Sequence, residues 1–269
     1  MVNGKFFVID AHCHVYPEAI AQKAAMATGK FYGEQPFGKG TIADLTENGK
    51  KAGIDKFIVQ SVATTKAQVR KINEFIAGEV AQHKDTLIGL GTMHPESDDI
   101  EADFEHLKSL GLKGVKLHPD IQGFKIDDFR CLKIYEQCEK YHLPILMHTG
   151  DSRYDNSNPN RLLPILEIYT DLTVIGAHFG GWSMWEEASK RLQGVPNLYV
   201  DCSSSFYAMT NDKVKEIIER YGTERVLFGS DYPMWSPQAE LDRFFTLGYG
   251  EEDCRRMLSE NAKSVYGII

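Results

Sequence analysis

Several features are scarce in this sequence of 269 residues, and each scarcity excludes a class of protein. It holds only five cysteines, an odd number with no CxxC pair, which excludes a disulfide framework and a structural zinc ribbon. No apolar run approaches the roughly 20 residues that span a bilayer. No Lys/Arg cluster forms a basic stripe and the formal net charge is −8, so we expect neither nucleic acid nor a membrane surface as a partner.

Residues 1–30 lack the basic region, the apolar stretch and the cleavage site of a signal peptide. We therefore expect a cytoplasmic protein whose cysteines are reduced and mostly buried. Cys13 alternates with the histidines on either side of it, so it should pack outward rather than bind a metal. The hydrophobic fraction of 42% and the charged fraction of 25% are typical of a globular protein.

Eight short apolar runs alternate with segments of helical spacing, at the interval of one strand-plus-helix unit. The runs lie at 6–11, 56–62, 87–93, 114–117, 144–147, 173–177, 198–200 and 226–228. Eight strands alternating with helices predict a (β/α)₈ TIM barrel, with residues 1–269 as a single domain. A doubly wound open sheet is the alternative, but no Gly-rich phosphate loop follows the first run.

One stretch, residues 15–40, interrupts this rhythm. We interpret it as a loop insertion after the first strand, with a short helix near 19–28. In a barrel, an insertion after a strand lies over the face that carries the active site. The stretch is therefore predicted to serve as a lid or a substrate loop.

Residues able to bind a metal follow many of the apolar runs. His12 and His14 lie two apart at the end of the first run, so their side chains point to the same side of a strand. Two convergent imidazoles suit a divalent transition metal, although two hydrogen-bonded histidines near a core would give the same pattern. Later runs end similarly, at Lys116, His118, His148, His178 and Asp231. Because the carboxyl ends of barrel strands surround one axis, we expect these side chains to meet.

Five motifs in this order resemble the amidohydrolase-related (amidohydrolase 2) branch of the amidohydrolase superfamily. They are His-Cys-His at 12–14, Lys-Leu-His-Pro at 116–119, His-Thr-Gly at 148–150, Ala-His-Phe-Gly-Gly at 177–181 and Gly-Ser-Asp-Tyr-Pro at 229–233. The resemblance covers the whole chain. Members of the branch include aminocarboxymuconate semialdehyde decarboxylase, other aromatic-acid decarboxylases, lactone hydrolases and hydratases.

The resemblance implies one divalent metal per chain, most often Zn²⁺, bound by His12, His14, His148 and Asp231. A metal of this kind lowers the pKa of its bound water and polarises a carbonyl group. The resemblance places His178 beside that water, where it would orient or deprotonate it. Asp231 would also pass a proton to the leaving group. His178 and Asp231 are therefore the predicted catalytic residues.

Three further residues are candidates for the substrate site. Lys116 faces the same way as His118, and it is either a carbamylated bridge between two metals or a buried lysine paired with a carboxylate such as Asp10. His118 is predicted to line the substrate pocket. Arg153, like Arg161, could hold a substrate carboxylate or lie solvated at the surface. Aromatic residues that follow strand ends could wall the pocket or pack beneath the loops: Trp182, Trp185, Phe206, Tyr207, Tyr232 and Trp235.

These observations predict a mononuclear metal-dependent hydrolase that attacks an amide, ester or lactone carbonyl of a small organic substrate. A metal-dependent decarboxylase or hydratase of a small carboxylic acid is the enzymatic alternative on the same site. A binuclear phosphotriesterase-like enzyme and an inactive metal-binding module are further alternatives. The resemblance allows a homodimer, since homodimers are common in that family, but the sequence carries no interface signal of its own.

Overall fold

Short parallel strands surround the centre of the protein in the computed structural model, which describes residues 5–268. The strands are β1 (Ile9–His14), β2 (Lys56–Gln60), β3 (Leu87–Gly89), β4 (Gly91–Thr92), β5 (Val115–Leu117), β6 (Ile145–Met147), β7 (Val174–Gly176), β8 (Leu198–Asp201) and β9 (Val226–Leu227). They pair in chain order, from β1 to β3 and from β4 to β9. Only Leu90 separates β3 from β4, and its N–H donates to the Val59 carbonyl of β2 at 2.9 Å, so β3 and β4 form one barrel strand.

The sheet closes on itself between the last strand and the first. The N–H of Ala11 donates to the Phe228 carbonyl at 2.9 Å, and Cys13 forms a parallel bridge with Tyr232. Counting β3 and β4 as one, eight parallel strands form a closed barrel. The predicted (β/α)₈ fold is confirmed and the open-sheet alternative is wrong.

Helices follow the strands along the chain. They are α1 (Ala21–Tyr32), α2 (Ile42–Ala52), α3 (Val69–Gln82), α4 (Ile100–Ser109), α5 (Pro119–Gln122), α6 (Leu132–Lys140), α7 (Leu162–Ile168), α8 (Trp185–Leu192), α9 (Asn211–Tyr221), α10 (Pro237–Phe245), α11 (Glu251–Arg255) and α12 (Asn261–Tyr266), with a π-helical segment (Arg256–Glu260) before α12. Between residues 5 and 268, no helix combines the length and the apolar character that crossing a membrane requires.

Alternation along the strands divides the core into two layers. In β5, Val115 and Leu117 pack outward against the helices, while Lys116 between them is fully buried on the barrel side. The inner layer is aliphatic, and Tyr266 of α12 joins it. In β1 the pairing register shifts between Asp10 and Cys13, immediately around His12. Such irregularities re-aim side chains, and here both histidines face the interior.

All five cysteines are buried and free, and Cys13 belongs to the outer layer, as its alternation predicted. Tyr232 also packs outside the barrel and is not a pocket wall. Its hydroxyl donates to Asp44 Oδ2 at 2.6 Å and accepts from the Gly40 N–H at 3.1 Å, which ties the segment after α1 to the last barrel strand.

Glu240 on α10 is a buried carboxyl whose Oε2 lacks a partner among the described residues. Burial, with Asp10 and Asp231 nearby, raises its pKa to about 8, and Arg243 offsets only part of this. The folded protein therefore holds a proton that the unfolded chain releases, and stability falls as pH rises from about 4.5 to about 8. We expect Glu240→Gln to stabilise the protein by about 2 kcal/mol at pH 9, and by much less at pH 5.

Urea unfolding of wild type and variant between pH 5 and pH 9 measures this difference. The exposed Glu167→Gln change of α7 is the matched control and should leave the pH profile of the wild type in place. Parallel profiles for wild type and Glu240→Gln would show that Glu240 ionises as an ordinary glutamate.

Candidate active site

Three predicted metal ligands lie together at the carboxyl end of the barrel. The Nε2 atoms of His12 and His14 are 3.2 Å apart. Asp231 Oδ1 lies 3.4 Å from His12 Nε2 and 3.6 Å from His14 Nε2. Asp231 follows β9, so the residues come from the first and last strands, which meet where the barrel closes. We call His12, His14 and Asp231 the ligand trio.

Asp201, a carboxylate outside the predicted set of site residues, orients His12. Asp201 at the end of β8 is fully buried, and its Oδ2 lies 2.9 Å from His12 Nδ1. Because a carboxylate only accepts hydrogen bonds, His12 Nδ1 carries the proton and Nε2 presents its lone pair to the trio. Asp201 directly follows the seventh apolar run, so the rule that selected the histidines would have found it.

His178 lies beside the trio in a tautomer suited to accepting a proton. Its ring stacks on that of His12, with centroids 5.2 Å apart, and its Nδ1 lies 3.0 Å from the Ser203 carbonyl oxygen. That oxygen can only accept, so Nδ1 bears the hydrogen and Nε2 is free as a base. Burial lowers the pKa of His178 to about 4, which keeps the ring neutral. The backbone of His178 is left-handed, at φ 59°, a conformation that costs energy in non-glycine residues.

His148 and His118 form a second cluster next to the first. Their rings stack in parallel with centroids 3.9 Å apart, and His148 Nε2 lies 3.6 Å from Asp120 Oδ2. The hydroxyl of Tyr32, from α1, lies 2.7 Å from His118 Nε2 and 3.5 Å from His148 Nε2. His148 and His178 are also neighbours, with ring centroids 5.1 Å apart. The fourth predicted ligand, His148, therefore borders the trio while its Nε2 faces the second cluster.

Lys116 contacts a histidine rather than the carboxylate expected for a buried lysine. Its Nζ lies 3.1 Å from His12 Nε2. Asp10, the carboxylate that we expected beside it, accepts instead from the N–H and the hydroxyl of Ser230 at 2.8 and 2.6 Å. Burial lowers the pKa of Lys116 to about 8, although Asp231 and Asp201 favour its charged form.

Burial shifts the pKa of Asp231 in the opposite direction from the pKa of Lys116, because in both groups it disfavours the charged form. Burial raises its pKa to about 7, while the Ser204 hydroxyl, which donates to Oδ2 at 2.5 Å, and the charge of Lys116 both favour ionisation. A dication bound beside it would lower this pKa again. Asp231 also has a left-handed backbone, at φ 59°, so two of the site residues hold strained conformations.

The histidines, Lys116 and Asp231 open on one cavity of about 490 Å³. His12, His14, Lys116, His118, His148, His178 and Asp231 line its inner end. A small adjoining cleft beside His178 and Asp231 is walled by Trp182, Tyr207 and Trp235. Seven of the eight predicted site residues therefore lie around one space.

Arg153 is the exception among the predicted site residues. Its Nε and Nη2 donate to Asp151 at 2.9 and 2.7 Å, and its Nη1 donates to the Phe31 carbonyl of α1 at 2.8 Å. Arg161 likewise pairs with Asp127 and Asp155. Arg153 thus fastens α1 to the loop after β6, and neither arginine lines the cavity at the histidines.

The chemistry of the trio fits a divalent metal. Two imidazole nitrogens and a carboxylate oxygen converge, with their ligand atoms all within 4.8 Å of one another. Nitrogen and oxygen ligands of this kind suit zinc and related borderline ions. Asp201 behind His12 supplies the outer hydrogen bond that metal-ligating histidines usually have.

The chain belongs to the amidohydrolase family: the model of that family matches residues 9–268. It is thus an enzyme of the amidohydrolase superfamily, as the motifs predicted. A 2-amino-3-carboxymuconate-6-semialdehyde decarboxylase from Dictyostelium discoideum is 27% identical over 117 residues, which cover 41% of this chain and 32% of that protein. The chain therefore matches only about a third of the length of this relative.

Solved structures of similar fold cover nearly the whole chain. The 5-carboxyvanillate decarboxylase of Sphingomonas paucimobilis has a TM-score of 0.78 at 14% identity, covering 98% of this chain and 100% of its own. A dihydroxybenzoic acid decarboxylase from a Polaromonas species, with bound manganese and 2-nitroresorcinol, has a TM-score of 0.74 at 17% identity, covering 98% and 97%. At these identities the likeness concerns the fold.

Proposed function

We propose that this enzyme is a metal-dependent decarboxylase of a small aromatic carboxylic acid. The observation that carries the proposal is the cavity, in which apolar side chains of α1 and α3 adjoin the histidines and Asp231. A carboxylate moved from water into such surroundings loses hydration, and loss of CO₂ relieves that cost because the charge spreads out in the transition state. The decarboxylases among the proteins of similar sequence and fold support the same choice.

In this proposal His12, His14, His148 and Asp231 hold one divalent ion per chain. When bound, the ion supplies a Lewis acid that fixes a substrate carboxylate or hydroxyl group. The imidazole-rich donor set suits zinc, which is the ion that we propose. The Polaromonas protein binds manganese instead, so the assignment of zinc to this site is a proposal. His118 and Lys116 face the same space and are proposed to bind the substrate.

Two residues, His178 and Asp231, carry out the proton transfers. His178 Nε2 accepts a proton from a ring hydroxyl of the substrate, and Asp231 delivers a proton to the ring carbon that bears the carboxylate. The bond between that carbon and the carboxylate then breaks, its electron pair returns to the ring, and CO₂ leaves. His178 gives its proton back to the ring oxygen, and solvent reprotonates Asp231.

Hydrolysis of an amide, ester or lactone is the second candidate, because the basic Nε2 of His178 is equally suited to deprotonating water. One panel assay separates the two. The metal-loaded enzyme is incubated with hydroxylated benzoic acids and, separately, with aryl lactones and amides, and CO₂ and ring products are quantified. We expect CO₂ from at least one acid. Turnover of lactones or amides without CO₂ from any acid would replace decarboxylation by hydrolysis.

The metal content of protein purified without added metal or chelator tests the ligand assignment. We expect about one divalent ion per chain, because the proposal assigns the ligand trio and His148 to a single site. Elemental analysis measures both the amount and the identity of the ion. Two ions per chain would favour a second site at His118, Asp120 and His148, with Lys116 as the bridge between metals.

A further inference from the structure

The cavity does not end at the histidines but continues as a groove between two helices. Its residues on α1 and on α3 recur three and four positions apart, so each helix presents one face to it. Along α1 and the residue that precedes it, the groove is lined by Ile20, Ala24, Ala27, Thr28 and Phe31. Along α3 and the residue that precedes it, the groove is lined by Gln68, Lys71, Ile72 and Phe75. We call these nine residues the α1–α3 groove.

The groove has a polar mouth and an apolar floor. Gln68 and Lys71 are exposed, whereas Ile72 and Phe75 are half-buried and Ala24 and Ala27 are small enough to leave space. Ile20 is an exposed large apolar residue, with 51% of its surface accessible. Apolar side chains that face an open groove remain partly hydrated, and an apolar occupant would remove that cost.

The size of the cavity points to a substrate longer than one ring. Cavities of 300–1,000 Å³ hold drug-sized ligands, and this one has about 490 Å³. A benzoate at the histidines would leave the space between α1 and α3 empty. Because the groove is continuous with the histidine end, one molecule can occupy both.

We infer that the α1–α3 groove binds an extended apolar substituent of the substrate, so that the substrate class is an aromatic carboxylic acid with an alkyl or aryl arm. The inference rests on the proposed function, which places the carboxylate at the histidines. The arm then runs outward along Ala24 and Ala27, opposite Ile72 and Phe75, and its far end reaches the polar mouth.

Binding of 4-alkylbenzoates, from methyl to hexyl, tests this inference without requiring turnover. Isothermal titration calorimetry on the purified protein gives the dissociation constant of each probe. We expect the affinity to rise roughly three- to fourfold for each methylene that the groove buries, and to level off when the chain reaches the mouth. An affinity that does not change with chain length would overturn the inference.

A variant that fills the groove identifies where the alkyl chain lies. Ala27→Phe places a ring in the space that the arm would occupy and should abolish the rise in affinity with chain length. Met26→Phe is the matched control, since Met26 is the exposed neighbour on α1 and does not line the groove. It should keep the chain-length dependence of the wild type. A dependence that survives Ala27→Phe would place the alkyl chain elsewhere and overturn the inference.

Two further results distinguish substrate binding in the groove from the proposed decarboxylase function and from a dimer interface. Chain-length-dependent binding without CO₂ release from any acid would retain the groove and refute the decarboxylase. A second copy of this chain could cover the groove instead. A dimer in light scattering that Ile20→Glu converts to a monomer, together with binding insensitive to chain length, would assign the groove to that interface.

Discussion

Replacing Asp231 by asparagine is expected to lower kcat/KM by about 10³-fold or more and to remove most of the bound metal. Asparagine keeps the size of the side chain but loses its charge and its exchangeable acidic proton. Asp231 Oδ1 lies within 3.6 Å of both histidines of the trio, so one substitution would alter the proposed metal site and the proposed proton delivery together. Steady-state kinetics with the best acid of the panel and elemental analysis of the same preparation measure the two losses.

Ser204→Ala is the matched control for this substitution. The Ser204 hydroxyl donates to Asp231 Oδ2 at 2.5 Å, so its removal disturbs the orientation of the carboxylate but leaves the carboxylate in place. We expect a loss of about tenfold in kcat/KM with the metal retained. If Asp231→Asn folds, keeps its full metal content and retains more than a tenth of the activity, Asp231 is neither ligand nor acid.

The barrel could be predicted because strand and helix patterns repeat along the whole chain. Each of the eight predicted runs overlaps a barrel strand. Helix α10 carries two ordinary signals of a helix start in its sequence, because Ser236 caps it and Pro237 occupies its first turn. The predicted insertion, residues 15–40, contains α1, and α1 lies beside the cavity.

The site was predictable where it depends on strand ends and not where it depends on tertiary contacts. His12 lies near the end of β1, and His148 and His178 follow β6 and β7, so the fold alone brings them together. Tyr32 reaches the histidines only because α1 folds back over the barrel, which no local pattern specifies. Arg153 was expected to bind the substrate, but its guanidinium donates hydrogen bonds to Asp151, two residues before it. The partner of a long charged side chain depends on packing that periodicity does not encode.

Asp201→Asn is expected to weaken metal binding by about 10- to 100-fold, although Asp201 is not a proposed ligand. The Asp201 carboxylate holds the proton on His12 Nδ1 and so directs the Nε2 lone pair at the trio. An asparagine amide can donate to Nδ1, which would favour the tautomer with its proton on Nε2, where the metal should bind. Competition with a chelating dye measures the dissociation constant of the metal.

Asp103→Asn provides the comparison that separates orientation from stability. Asp103 of α4 is also a buried carboxylate, and it pairs with Arg70 at 2.7 Å, away from the histidines. Its substitution removes a buried charge and destabilises the fold, but it leaves His12 untouched, so the metal affinity should stay at the wild-type value. Equal weakening in both variants would mean that global destabilisation, not the tautomer of His12, controls metal binding. Weakening confined to Asp201→Asn would show that the outer carboxylate sets the ligand state of His12.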